Sequence, residues 1–258
     1  MEQDFIKIKK LLSEYVSLIL KEYPNCDGGQ LLNLRNADAE IVKFNSSNTI
    51  TFIVQRGVLL LPTAAYQFFP LLKKYENYGT KLNNHRNIRD YLDTNTTYME
   101  YISHVIESGM SVYEYFEDNL LHEAMHICGS QGGTPLEEGI NELKTRELAQ
   151  KYNIRIAAYG YSKEVEISKR LQQIIGKEIM DEITFIPRYE RKAFLIEKLG
   201  YEISELYVLL SNKMIEKSKH YFDKLFQVND PFEKAKLYED VNYTELYQII
   251  DNYINKNS

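Results

Sequence analysis

Tryptophan is absent from the chain, and cysteine occurs only twice, at Cys26 and Cys128. Two thiols cannot build a disulfide framework, which excludes the small secreted scaffolds stapled by several bridges. They also fall short of the cysteine-rich sets that close structural zinc sites. Proline (6) and glycine (12) are sparse over 258 residues, so no long disordered or low-complexity segment is expected. Positive charge is in deficit: 31 Lys and Arg against 37 Asp and Glu give a formal net charge of −6. A sequence-independent nucleic-acid binder carries a basic surplus to neutralise phosphates, so no nucleic-acid partner is expected. Long apolar runs are missing as well. No stretch approaches the ~18 residues of a membrane span. Glu2 and Asp4 stand where a secretory leader would carry positive charge. These absences predict no membrane span and a cytoplasmic location, although a secreted chain already stripped of its leader would read the same way.

What is present is ordinary in bulk and organised in detail. Hydrophobic residues make up 44% and charged residues 26%, as in a globular protein. Phe5, Ile8, Leu11, Leu12, Tyr15, Val16 and Ile19 recur at helical spacing and predict an amphipathic first helix. Asn25 to Gly29 reads as a loop. Ile41–Phe44, Thr49–Val54 and Val58–Leu61 read as short strands of a small antiparallel meander, with Asn45 to Asn48 as a turn. Beyond Leu71 the pattern turns helical: Tyr91–Ser108, Val112–Cys128, Pro135–Tyr152, Lys163–Ile175, Arg188–Leu199, Ile203–Phe226 and Tyr243–Ile254. The expected class is mainly α (α+β), a small antiparallel sheet followed by a helical majority. Residues 1–258 read as one domain, with a sheet-plus-helix lobe over about 1–128 and a helical lobe over about 129–258.

One stretch carries chemistry. His122-Glu123-Ala124-Met125-His126 has the form H-E-x-x-H. Residues four apart lie one above the other on a helix, so both imidazoles can reach one metal ion. Glu123 projects beside them, where a general base for water belongs. Val112, Phe116, Leu120, Ala124 and Ile127 would bury the other face of that helix. A catalytic zinc needs a third protein ligand. The metzincin continuation H-E-x-x-H-x-x-G-x-x-H places a histidine where this chain has Gly132, and glycine has no ligating side chain. Gly129 reads as a left-handed helix end. Downstream, Thr134-Pro135-Leu136-Glu137 has the form of a capping box that opens a new helix. That leaves Glu138 and Glu142, four apart on one face. One can bind metal while the other orients a ligand histidine.

With these residues in view, the chain resembles the gluzincin metallopeptidases, the group that includes thermolysin and many zinc aminopeptidases. In those families an H-E-x-x-H helix is followed by a second helix with a glutamate ligand, often in Asn-Glu-Gly or Asn-Glu-Ala, and an acidic residue four positions later. Leu136-Glu137-Glu138-Gly139-Ile140-Asn141-Glu142 looks like that pattern, with Glu137 at the usual asparagine position. The resemblance covers residues 120 to 147. It implies a zincin-like core, one Zn2+ per chain, His122, His126 and Glu138 as ligands, and Glu142 as the orienting carboxylate. Glu142, which also follows an asparagine, stands as the alternative ligand.

The function that follows is zinc-dependent hydrolysis of peptide bonds in a peptide or protein substrate. Zinc polarises the carbonyl and activates water, and Glu123 moves the proton from water to the leaving amine. Tyr159, Tyr161 and Arg188 are candidate donors to the oxyanion. The strand near Ile50 to Val54 could hold a peptide by strand addition. Two other readings stand beside this one: a catalytically silent binding or regulatory module on the same fold, and a dedicated processing protease for one partner protein. His85, His104 and His220 have no ligand-like partner at helical spacing, and Cys26 and Cys128 read as packing thiols. Tyr201, Tyr207 and Tyr221 read as half-buried packing residues, and the charges at Glu233–Asp240 and Lys213–Lys219 as solvated helix faces.

Overall fold

The computed structural model describes residues 2–24, 39–44, 49–54, 120–126, 128–129, 134–156, 161–225, 228 and 231–257, and these are mainly α-helical. Helix α1 (Glu2–Glu22) follows the expected spacing, with Leu12, Tyr15, Val16 and Ile19 buried. Strands β1 (Ala39–Phe44) and β2 (Thr49–Val54) pair antiparallel, Ala39 opposite Val54 and Phe44 opposite Thr49. The expected loop at Asn25–Gly29, the strand at Val58–Leu61, the helix at Tyr91–Ser108 and the first part of Val112–Cys128 lie outside the described residues. Residues 120–126 are helical and form the described part of α2. Then come α3 (Pro135–Tyr152), α4 (Ser162–Ile175), α5 (Lys177–Phe185), α6 (Arg188–Leu199), α7 (Tyr201–Leu225), α8 (Pro231–Glu239) and α9 (Thr244–Asn257). Among the described residues, no helix is long and apolar enough to cross a membrane.

Helices α3 and α6 have the bounds expected from sequence, and α4, α7 and α9 agree within a few residues. One nine-residue helix, α5, is an addition; α8, also nine residues long, falls on the stretch Glu233–Asp240 read from sequence as a helix face. At nine residues, α5 is shorter than the roughly 11–18 residues over which a helical period is read. A single residue, Gly176 at φ 84°, separates α4 from α5, and Gly200 at φ 91° separates α6 from α7 in the same way. Two further readings need correction. Tyr201 is 64% exposed beside Lys192 rather than half-buried, while Tyr207 is buried. Gly129 follows the last turn of α2, yet its backbone is not left-handed. Its role is close approach: a Cβ there would lie 2.9 Å from the carbonyl oxygens of Met125 and Thr184.

Helix α3 is the centre of the helical part. It packs chiefly on α4, with further contacts to α5 and α7. Leu136 and Ile140 of α3 join Ile167, Leu171, Met180, Leu210 and Leu246 in one apolar cluster. The helix is buried around most of its circumference, which is why its sequence shows no single apolar stripe. Its polar positions are therefore partnered. Lys144 is fully buried, with Nζ 2.6 Å from Asp181 Oδ1, 3.2 Å from Glu147 Oε2 and 2.7 Å from Gln172 Oε1. Burial pulls its pKa down and Asp181 pulls it back only in part. Near the C-terminal end of α3, Lys151 and Tyr152 both bond Glu22 at the end of α1.

The contact between α3 and α4 depends on Gly139. A Cβ at that position would fall 2.5 Å from the Glu164 carbonyl oxygen and 2.7 Å from the Glu164 Cβ, which no side chain can tolerate without a backbone shift. Glu164 cannot easily retreat. It is buried, and its carboxylate accepts the hydroxyls of Tyr238 at 2.6 Å and Tyr243 at 2.9 Å. Beside it, Lys163 donates to the carbonyls of Tyr238, Glu239 and Val241, which fastens the end of α8 to the start of α4. Gly139→Ala is therefore expected to lower stability by about 1–3 kcal/mol, the usual cost of overpacking. Urea denaturation followed by circular dichroism checks this, and an unchanged midpoint would contradict the close packing.

Candidate metal centre

Two helices meet at the site. In α2 the flanking Leu121, Ala124 and Met125 are fully buried and fix which way the helix turns. That puts His122 and His126 one turn apart on the same face, rings edge to face at 4.7 Å. Helix α3 opens with the expected capping box. The Thr134 hydroxyl accepts from Glu137 N–H, and the Glu137 carboxylate accepts from Thr134 N–H at 3.1 Å. The other Glu137 oxygen takes a bond from Arg191 at 2.9 Å. One residue further, Glu138 and then Glu142 face α2. Asn141 Nδ2 donates to the His122 carbonyl oxygen at 3.1 Å and holds the two helices in register.

Three ligand-type atoms converge. His122 Nε2 and His126 Nε2 are 3.0 Å apart, and Glu138 Oε2 lies 3.1 Å from the second and 3.4 Å from the first. Tetrahedral bonds of ~2.0–2.1 Å separate ligand atoms by about 3.3–3.4 Å. The triangle is therefore close to the size of one face of such a coordination shell. Among the described residues this is the one group of three or more His, Cys, Asp or Glu with that convergence.

Glu142 occupies a different place. Its Oε2 accepts from His122 Nδ1 at 2.7 Å, while its Oε1 accepts from Arg146 Nε at 2.7 Å. With Nδ1 committed to a carboxylate, His122 is oriented with Nε2 turned toward His126 and Glu138, the arrangement a ligand histidine needs. His126 has no such support among the described residues, where its buried Nδ1 finds no hydrogen-bond partner.

Among themselves these groups share protons. Burial alone would lower the His122 pKa, but hydrogen bonds to Glu138 and Glu142 and the charge of Glu142 outweigh it and raise it to about 10. Burial likewise opposes charge on Glu138, yet the charge of His126 and bonds from both imidazoles hold its carboxyl well below the usual range. Glu123 is buried beside them. Burial pushes its carboxyl up and the two imidazoles pull it partly back, leaving it raised, in the direction that suits a general base.

Other residues singled out from sequence fall in varied places. Tyr161 reaches the site, its ring stacked on that of His122 with centroids 5.4 Å apart and planes 13° from parallel. Arg188 sits at the start of α6, Nε 3.5 Å from Glu137 Oε1, and not among the converging atoms. Tyr159, His85 and His104 lie outside the described residues. His220 is exposed on α7, and Cys128 is a buried thiol at the end of α2. Three residues of the surroundings were not read from sequence: Asn141, Arg146 and Arg191. For Arg146 a signal existed, because it stands four residues after Glu142, the helical spacing of an ion pair. Tyr161 also has a left-handed backbone, φ 55° and ψ 31°. For a bulky L-residue that conformation costs roughly 1–2 kcal/mol.

Comparison of the chain with known protein families, with curated proteins and with solved structures finds no match in any of the three.

Because His122 carries its extra proton up to about pH 10, a cation must displace that proton at neutral pH. Uptake of a divalent cation at pH 7 is expected to release about one proton per ion, and affinity is expected to fall as pH falls, by up to about tenfold per unit. Calorimetric titration in buffers of different ionisation enthalpy measures the release. A value near zero would contradict the proposed proton sharing.

Proposed function

We propose that the chain is a zinc-dependent peptidase with a zincin-like core and a gluzincin-like site, one zinc held by His122, His126 and Glu138. The observation that carries this reading is the convergence of His122 Nε2, His126 Nε2 and Glu138 Oε2 within 3.4 Å of one another, with Glu123 next to His122 on the same helix. The donor set of two imidazoles and one carboxylate is that of a catalytic zinc, which leaves a fourth position for water, and not that of a closed structural site. Glu142 is assigned as the carboxylate that orients His122, since both of its oxygens are already engaged away from the triangle, by His122 Nδ1 and by Arg146.

When bound, zinc supplies a Lewis acid for the scissile carbonyl and makes water acidic near pH ~7. The chain's own residues do the rest. Glu123 takes a proton from the attacking water and delivers it to the leaving amine. Glu142 and Arg146 keep the His122 ring in place. The substrate is a peptide or a protein, and the cytoplasmic location expected from the sequence belongs to the same proposal.

Glu123→Gln removes the base and keeps the shape. This variant is expected to bind zinc as wild type does and to lose at least about 10²-fold in hydrolysis. Zinc content by elemental analysis and cleavage of a mixed pool of quenched fluorescent peptides check both halves. A variant as active as wild type would overturn the role of Glu123. A wild type that holds zinc and cleaves no peptide in the pool would favour a binding module over a peptidase.

A further inference from the structure

Tyr161 combines two features that packing alone does not explain. Its ring lies nearly parallel to that of His122, at 13° and 5.4 Å between centroids. Its backbone is left-handed at φ 55°, a conformation that aromatic residues rarely adopt, and its side chain makes no capping bond to the helix it precedes. Strain of this kind persists only where the surroundings over-determine it, and it gathers at functional sites. Here the surroundings are explicit. The next helix, α4, cannot shift, because Glu164 is pressed on Gly139 and bonded to Tyr238 and Tyr243, while Lys163 grips three carbonyls at the end of α8. A residue placed just before that anchored turn is carried to the same spot over α2 each time the chain folds.

The His122 ring needs such a contact. Its Nδ1 bond to Glu142 and its Nε2 bond to Glu138 hold two points of the imidazole, but they leave the ring free to turn about the line between them. A metal site tolerates only about 10–20° of error in ligand direction. A flat ring stacked alongside, parallel and offset, opposes that turn.

We propose that Tyr161 is a positioning residue of the metal centre: stacked on His122, its ring sets the plane of that imidazole so that Nε2 points at the space shared with His126 Nε2 and Glu138 Oε2. This rests on the metal reading given above. The role belongs to the ring and not to the hydroxyl, which separates it from the donation to an oxyanion expected from sequence. It also makes the metal centre dependent on the C-terminal part of the chain, since α8 and Tyr243 hold the start of α4.

Three variants test this: Tyr161→Phe keeps the ring, Tyr161→Leu removes it, and Tyr161→Asn removes it while favouring the left-handed backbone. Affinity for Co2+ by chelator competition and the visible ligand-field spectrum of the Co2+-loaded protein are the readouts, with circular dichroism of the metal-free protein reporting the fold. The phenylalanine variant is expected to bind within about threefold of wild type with an unchanged spectrum. The leucine and asparagine variants are expected to lose about 10–100-fold, as for other partners that orient a ligand, and to change the spectrum. Asparagine carries the test if leucine fails to fold. A folded leucine or asparagine variant with wild-type affinity and spectrum would overturn the positioning role, and so would a phenylalanine variant as impaired as leucine. A wild type that binds no Co2+ would instead overturn the metal centre itself, so the two failures are distinct.

Discussion

The hydrogen bond between His122 Nδ1 and Glu142 Oε2, 2.7 Å long and buried, joins the two helices that carry the converging atoms. It does two things at once. It turns the His122 ring so that Nε2 faces His126 and Glu138, and it fixes α3 at the distance where Glu138 can reach both imidazoles. The rest of the described structure around the site can be read as what keeps that bond possible. The Thr134 cap sets where α3 begins, Asn141 holds its register on α2, and Arg146 engages the second Glu142 oxygen. Gly139 lets α4 close behind, which brings Tyr161 over the ring.

A helix so fully enclosed carries an electrostatic cost. Glu137, Asn141, Glu142, Lys144 and Thr145 of α3 are all buried, and a buried charge is tolerable only with partners. Each has them. Arg191 meets Glu137, Arg146 meets Glu142, Asp181 meets Lys144, and the Thr145 hydroxyl returns to the Asn141 carbonyl. In α4 the buried Glu164 is matched by two tyrosine hydroxyls, yet burial still pushes its carboxyl up. These pairs contribute little net stability compared with apolar packing, but losing one partner strands the other, at a cost of about 3–5 kcal/mol. They specify one arrangement of α3 among its neighbours, and the site depends on that arrangement.

The chain's pattern carried some of this and not the rest. H-E-x-x-H and the glutamates at Glu138 and Glu142 were legible because helical spacing is short-range and each residue type has a narrow range of uses. The capping box at Thr134 was legible for the same reason, and so were the bounds of α3 and α6. The distinct places of Glu138 and Glu142 were not legible from spacing, because both lie on one face of α3; the resemblance to gluzincin sites alone told them apart, and the packing against α2 separates them in space. Tyr161 was singled out with Tyr159 and Arg188 as an oxyanion donor and not as a stacking partner, because its stacking depends on contacts among α3, α4 and the C-terminal helices. Gly129 and Gly139 show the same limit. A sequence suggests that glycine relaxes a backbone, whereas here each is needed because a neighbouring backbone comes too close for a Cβ. Lys144 had no signal at all, since a lysine in a helical run reads as solvated until its neighbours are known.

The most direct test is zinc-edge anomalous diffraction from crystals of the protein grown after zinc repletion. The predicted result is one peak bonded to Nε2 of His122, Nε2 of His126 and a carboxylate oxygen of Glu138, at the ~2.0–2.2 Å typical of zinc, with Glu142 still on His122 Nδ1. A map with no peak between these residues, or with the peak bonded to Glu142 in place of Glu138, would contradict it.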